Sequence, residues 1–261
     1  MKIAIIGVGA MGGAIASGIL ESGFPPSDLI LSNPTRSKIE RFACRGATVA
    51  EDNVQAAAAA DVVILAVKPW LLEKVAGKIV SGTTLTGKAV VSVAAGITGA
   101  ELCVYLADKE GNIPDIAIAM PNTAAALGKS ITFLVNVTCP DPRVRATFER
   151  VGTVMTVDEE HLPAAMALAS CGIAFAMRYM RAATEGGVEL GIRAMEAQTI
   201  VARTVEGAAA LLLQPGAHAE AEIDKVTTPG GLTIRGLNAM EAAGFTPAVI
   251  AGHRACLPPS D

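Results

Sequence analysis

Short runs of apolar, largely β-branched residues recur along the first 155 positions, each separated from the next by a helical pattern: Ile3–Ile6, Leu29–Leu31, Val62–Val67, Ala89–Val93, Ile116–Met120, Ile131–Val135 and Thr153–Val157. Runs that are apolar at nearly every position, rather than at alternate ones, suit strands covered on both faces. The pattern predicts an α/β unit over residues 1–156, a doubly wound sheet with helices on either side. Past Asp158 the alternation stops. Leu162, Met166, Ala169, Ile173, Met177 and Met180 repeat at three or four residues, with Asp158 as a candidate N-cap and Glu159 and Glu160 in the first turn, so a long helix with one apolar face is expected. A second helix, about Arg193–Leu213, is nearly continuous Ala, Val, Ile and Leu broken by Arg203 and Glu206, and is expected to be buried on most sides. Residues 157–261 therefore read as an all-helical domain whose apolar excess calls for a second subunit, a homodimer with an oligomer of dimers open.

The first strand runs straight into Gly7-Val8-Gly9-Ala10-Met11-Gly12, a GxGxxG sequence that opens an alanine-rich helix over about Met11–Ser22. Gly7 permits the tight turn, Gly9 lets the backbone approach a pyrophosphate, Gly12 allows close helix packing, and the helix N-terminus faces the anion. Strand, turn and helix in that order predict a Rossmann-type dinucleotide site; the alternative is a glycine-rich turn in an unrelated α/β protein. About 20 residues on, where an acid would hold the ribose hydroxyls of NAD, the chain reads Ser32-Asn33-Pro34-Thr35-Arg36-Ser37-Lys38. Without the acid, and with Arg36 and Lys38 nearby, a 2′-phosphate is favoured, so NADP(H) is preferred and NAD(H) remains possible. Arg36 and Lys38 could instead be solvated positions of the next helix.

Three later strand ends carry small or loop-forming residues to the edge where open α/β sheets bind ligands: Ala66-Val67-Lys68-Pro69, then Ser92-Val93-Ala94-Ala95-Gly96, then Met120-Pro121-Asn122-Thr123. Pro69 fixes the exit of the first, and the small residues around Ala94 leave room for a nicotinamide ring against backbone. Far from these lies a second glycine loop, Asp224–Leu237, reading DKVTTPGGLTIRGL. Pro229 stiffens it, Gly230 and Gly231 expose backbone N–H groups, and the helix starting near Leu232 adds its positive end, a nest for a carboxylate. The hydroxyls of Thr228 and Thr233 could take a remaining oxygen or a ring nitrogen. An ordinary helix start capped by Thr227 or Thr228 is the other reading.

Composition narrows the function further. The net charge of −4 and the absence of a Lys/Arg cluster argue against nucleic acid, and no uninterrupted apolar run approaches the roughly 20 residues that span a bilayer, so a cytoplasmic protein without membrane contact is expected. Five widely spaced cysteines with no CxxC pair read as reduced thiols, and no metal is expected. His161, His218 and His253 read as structural or solvated. Cys171 has no adjacent base to activate it as a nucleophile.

Taken together, GVGAMG, AVKP at Ala66–Pro69, SVAAG at Ser92–Gly96, MPNT at Met120–Thr123 and DKVTTPGG with Thr233 resemble the pyrroline-5-carboxylate reductase family over nearly the whole chain. The resemblance implies NAD(P)H binding at the first loop, Asn33, Asn53 and Ala66–Pro69, and binding of an imine substrate at Thr228, Gly230, Gly231, Leu232 and Thr233. It implies hydride transfer from the nicotinamide to the imine carbon of Δ1-pyrroline-5-carboxylate, giving proline, with Thr233 or a bound water at the ring nitrogen. The chain departs from the family pattern at Ala169-Ser170-Cys171-Gly172-Ile173-Ala174-Phe175, where many members read SGSGPAY, and at Ile118, Lys225 and Leu232. A related β-hydroxyacid dehydrogenase would place a catalytic lysine on a helical-domain helix, and Asp158–Leu213 contains no lysine. Another cyclic imine carboxylate as substrate, or a non-catalytic dinucleotide sensor, stays open.

Overall fold

A strand with no polar face must be covered on both sides, and the sheet is built accordingly. The computed structural model describes residues 1–257. Its strands are β1 (Ile3–Ile6), β2 (Leu29–Ser32), β3 (Thr48–Val49), β4 (Val62–Leu65), β5 (Ala89–Ser92), β6 (Asp115–Met120), β7 (Ser130–Asn136) and β8 (Gly152–Thr156). They form one sheet in the order β3-β2-β1-β4-β5-β6-β7-β8. All neighbours are parallel except β6 and β7, which run antiparallel. Strand order switches between the parallel strands β1 and β4, with β2 and β3 added on one side and β4 onward on the other, the switch point at which such sheets bind dinucleotides. Register decides the two cores: Ile3, Ile5, Leu29, Leu31, Val62 and Ile64 face one side, and Ala4, Ile6, Ile30, Val63 and Leu65 the other. Each such Ile, Leu or Val contributes roughly 1.5–3 kcal/mol by leaving water.

Seven strands lie where the apolar runs predict them. β3 is the exception, since two residues paired to Ile30 and Leu31 are too short to show a period. The expected Val62–Val67 strand stops at Leu65, which frees Ala66 onward for the loop beyond it.

The covering helices are α1 (Ala10–Glu21), α2 (Ser37–Ala43), α3 (Asn53–Ala59), α4 (Pro69–Gly82), α5 (Gly99–Leu106) and α6 (Pro142–Glu149). α1 approaches the 3₁₀ turn Thr123–Leu127 so closely that a Cβ on Gly18 would strike the Ala125 carbonyl. α6 starts at Asp141, whose carboxylate accepts from the Arg143 backbone N–H at 2.7 Å and from the Arg143 guanidinium at 2.6 Å. The hydrogen bonds to the Arg143 side chain hold that carboxyl below the usual aspartate range.

After β8 comes a 3₁₀ turn, Glu159–His161, then α7 (Leu162–Met166), a π-helical turn (Ala167–Cys171) and α8 (Gly172–Glu189). The chain divides into two compact units, residues 1–170 and the part from Cys171 on. The single long helix read from the apolar repeat is thus interrupted, and Asp158 makes no side-chain cap bond. A π turn inserts an extra residue per turn and shifts the phase of every side chain after it.

The second unit adds α9 (Ala194–Leu212), α10 (Ala219–Val226), α11 (Leu232–Ala242) and α12 (Phe245–Arg254). α8 and α9 pack tightly, with a Cβ on Gly187 placed 3.0 Å from that of Ala197. The rings of Phe175 and His253 meet edge-on at 5.0 Å, and those of Tyr179 and Phe245 at 6.5 Å. α9 is not buried on most sides as its composition suggests. Ala197 is its one buried residue, and Ile200 and Leu211 are about half exposed. α8, α10, α11 and α12 bury none. One chain has too few helices to cover these faces. The continuous helical stretch Glu159–Glu189 is long and apolar enough to cross a membrane by length and composition, with mean hydropathy 1.3 over its most apolar window, although no run in it is uninterrupted by charge for 20 residues.

Candidate functional site

The carboxyl ends of the parallel strands open onto a cleft of about 850 Å³. β1 contributes Gly7 through the loop after it, β2 contributes Ser32, Asn33 and Pro34, β4 contributes Ala66 to Pro69, and β5 contributes Val93, Ala94 and Ala95. Thr123, from the 3₁₀ turn after β6, completes that wall.

Each glycine of the first loop has a distinct job. Gly7 sits at φ +96°, where an L side chain is strained, and a Cβ there would collide with the Ala66 backbone. Around Gly9 there is no atom within 4 Å of where a Cβ would be, so the backbone is open to a large group. A Cβ on Gly12 would drive into the Gly7 carbonyl oxygen. Gly9 caps α1 without a side-chain bond, which leaves the first-turn N–H groups for an anion.

Asn33 is a fastener as well as a wall residue. Its Oδ1 accepts from the Val8 N–H at 2.9 Å and its Nδ2 donates to the Thr35 carbonyl at 3.1 Å, which locks the glycine loop to the end of β2. Beside it the Ser32 hydroxyl donates to Asn53 Oδ1 at 2.7 Å. Of the expected cofactor residues, the cleft is lined by Gly7, Gly9, Ala10, Met11, Asn33, Asn53, Ala66, Val67, Lys68, Pro69 and Ala94. Val8, Gly12 and Arg36 are not on its wall: Val8 is buried with its N–H spent on Asn33, Gly12 is packed under Gly7, and Arg36 is the exposed N-cap position of α2.

The wall includes residues that sequence reading passes over. Leu71, Val75 and Lys78 come from one stripe of α4, set beside the buried stripe Leu72, Ala76 and Ile79. That offset is readable from the sequence once the core stripe is known. Lys38 and Lys78 both reach the cleft and form no ion pair among the described residues. Of the two acids there, Asp52 is engaged as the N-cap of α3, accepting from Gln55 N at 2.7 Å; Glu51 is the other. An open glycine turn, uncapped helix amides, two unpaired lysines and no acid at the end of β2 are a donor set that fits a dinucleotide bearing an extra phosphate.

Asn122 ties the MPNT segment together. It is buried at 6% exposure; its N–H donates to Ser130 Oγ, its Oδ1 accepts from Ala124 N, and its Nδ2 donates to the Ala169 carbonyl in the π turn at 3.3 Å.

In the second unit the expected substrate residues lie together at the start of α11. Gly231 N donates to the Thr228 carbonyl at 2.9 Å, closing a turn in which Gly230 sits at φ +68°. The N-cap is Gly231, with no side-chain cap bond, so neither Thr227 nor Thr228 caps the helix. Thr227 Oγ1 instead donates back to the Asp224 carbonyl. Thr228, Gly230, Leu232 and Thr233 are all exposed, and the first-turn amides of α11 remain available.

Residues 159–260 match the family described as pyrroline-5-carboxylate reductase dimerisation, and residues 2–96 match that described as NADP oxidoreductase, coenzyme F420-dependent. The chain is 36% identical to pyrroline-5-carboxylate reductase 1 of Dictyostelium discoideum over 96% of its own length and 47% of that protein's, so it spans about half of that relative. It is 35% identical to pyrroline-5-carboxylate reductase 2 of the same organism, covering 96% of this chain and 89% of the other. Among solved structures, a pyrroline-5-carboxylate reductase from Coxiella burnetii superposes with a TM-score of 0.87 at 28% identity, covering 98% of this chain and 95% of that one.

Proposed function

The chain belongs to the pyrroline-5-carboxylate reductase family, and on that premise we propose that it reduces Δ1-pyrroline-5-carboxylate to L-proline with NADPH, the closing step of proline biosynthesis. The observation that carries this reading is the presence in one chain of a glycine cleft with no acid at the end of β2 and an uncapped TTPGG helix start. When held in the cleft by the glycine loop, Asn33 and Ala66–Pro69, the nicotinamide cofactor would supply the hydride that reduces the imine. The protein's share is binding and orientation. The Gly9–Gly12 turn and the α1 amides hold the pyrophosphate, Lys38 with Lys78 favours the 2′-phosphate, and the small residues around Ala94 take the nicotinamide. On the substrate side, the Gly230 amide and the first-turn amides of α11 hold the carboxylate, with Gly231 closing the turn through its bond to the Thr228 carbonyl, and no arginine is needed. Thr228 braces that turn, Leu232 borders it, and the Thr233 hydroxyl hydrogen-bonds the ring nitrogen. Holding the two reacting carbons in near-attack geometry supplies several kcal/mol of the barrier.

We take the working division at residue 156/157; the end of β8 at Thr156 and the dimerisation-family match from residue 159 support it, while the break between the two compact units comes later, at 170/171. The helical part self-associates as a homodimer, with a larger assembly of dimers built on it, and the enzyme works in the cytoplasm without nucleic acid or membrane. That pairing also accounts for the apolar stretch Glu159–Glu189, as a subunit contact rather than a membrane span.

The test is steady-state oxidation of NADPH and of NADH, with and without Δ1-pyrroline-5-carboxylate. Imine-dependent turnover to proline, faster at low cofactor concentration with NADPH, is expected. Tight NADPH binding with no turnover on this imine would overturn the assignment of substrate, and equal use of the two cofactors would overturn the role given to the lysines.

A further inference from the structure

α8 and α12 run antiparallel against each other: Tyr179 meets Phe245, and one turn back along α8 Phe175 meets His253, with a Cβ on Gly252 placed 3.8 Å from the Phe175 ring. One further turn back on α8 is Cys171, its N-cap position; two residues past the end of α12 is Cys256. The pairing of the helices therefore carries the two thiols to the same end. Cys256 Sγ lies 3.4 Å from the Gly252 carbonyl, to which it donates, and its other partner is the Cys171 side chain. Cys171 is partly exposed and Cys256 exposed, while Cys44, Cys103 and Cys139 have no thiol partner among the described residues. We propose that Cys171 and Cys256 are an oxidisable pair that closes to an intramolecular disulfide under peroxide, fastening the end of α12 to the first turn of α8.

The chemistry balances with hydrogen peroxide as the oxidant. The Cys171 thiolate attacks one peroxide oxygen, the O–O bond breaks, and a sulfenic acid and hydroxide result. The Cys256 thiolate then attacks that sulfur and displaces a second hydroxide as the S–S bond forms. Two thiols are oxidised, the peroxide is reduced, and the two thiol protons leave in two molecules of water. The thiol–thiol hydrogen bond and burial push the Cys256 thiol up, so the closure is expected to quicken as pH rises.

The full-length protein, reduced, desalted and then exposed to hydrogen peroxide, should lose two of its five thiols and about 2 Da of mass, with both changes reversed by dithiothreitol. Peptide mapping should join Cys171 to Cys256, and neither Cys171→Ser nor Cys256→Ser should show the mass loss at the same dose. Retention of all five thiols, or a disulfide that joins another cysteine or two chains, would overturn the proposal.

Discussion

Thr233 stands in the first turn of α11, exposed and just past the Gly231 cap, where its hydroxyl and the free amides share one approach. If it holds the ring nitrogen, Thr233→Ala lowers kcat/KM for the imine at least about tenfold, roughly 1.4 kcal/mol, with NADPH affinity unchanged because the residue is not on the cofactor wall. Thr233→Ser should recover most of the loss, since it keeps the hydroxyl; steady-state kinetics with unchanged constants in the alanine variant would remove the residue from the chemistry. At this scale, what was legible from sequence is what local sterics dictate. Gly7 makes the turn, Gly9 leaves its backbone open and Gly12 packs under Gly7, a geometry decided within six residues. The family resemblance points to Asn33 as a cofactor residue, and its side chain fastens Val8 to β2, a bond made only when two strands lie side by side. Lys78, on a helix 40 positions after Lys38, becomes legible as a cleft residue only once the buried stripe Leu72, Ala76 and Ile79 is known.

Among the elements, α6 gives the clearest pH test. Asp141, its side chain 6% exposed, accepts from the first turn of the helix and from Arg143, whose guanidinium also donates to the Gly87 carbonyl at 3.1 Å. The Arg143 bonds depress the folded-state pKa of Asp141, so its stabilisation is fully present above the unfolded value of about 3.9 and is lost as pH falls through the lower folded value. Asp141→Asn should cost about 1.5–3 kcal/mol at pH 7, the range for a hydrogen bond to a charged group. In urea melts the gap to the natural protein should narrow below about pH 4; a gap that stays constant down to pH 3 would show that the charge is not its source. Elements were legible where length allowed a period to appear. The apolar runs revealed seven strands, but β3 spans two residues, and the π turn at Ala167–Cys171 leaves no mark in a pattern that repeats at three or four residues on either side of it. That turn overlaps the start of Ala169–Phe175, the segment that departs from the SGSGPAY pattern.

For the whole molecule the deciding fact is where the apolar surface goes. The unit formed by residues 1–170 buries β1, β2, β4 and β5 completely, whereas from Cys171 on a single chain leaves Met177, Ile200, Leu211, Leu213 and Val249 between 43% and 83% exposed. Isolated apolar residues at a surface are ordinary, but whole helix faces left open mark a partner surface. The apolar excess of residues 157–261 calls for a second subunit, while the burial that composition alone suggests for α9 is not found within one chain, because hydrophobicity records removal from water and not which molecule provides it. A twofold pairing uses the same patch twice, so each Ile or Leu it covers contributes roughly 1.5–3 kcal/mol on both sides. Light scattering behind size exclusion should therefore give at least about twice the 26.6 kDa of one chain, persisting on dilution to sub-micromolar concentration. Ile200→Glu, which places a charge on the middle of α9, should shift that mass downward and take imine turnover with it, while NADPH binding by residues 1–170 survives. A monomeric mass for the unaltered protein, with full activity, would mean that these faces are tolerated in water and that the substrate loop needs no second subunit.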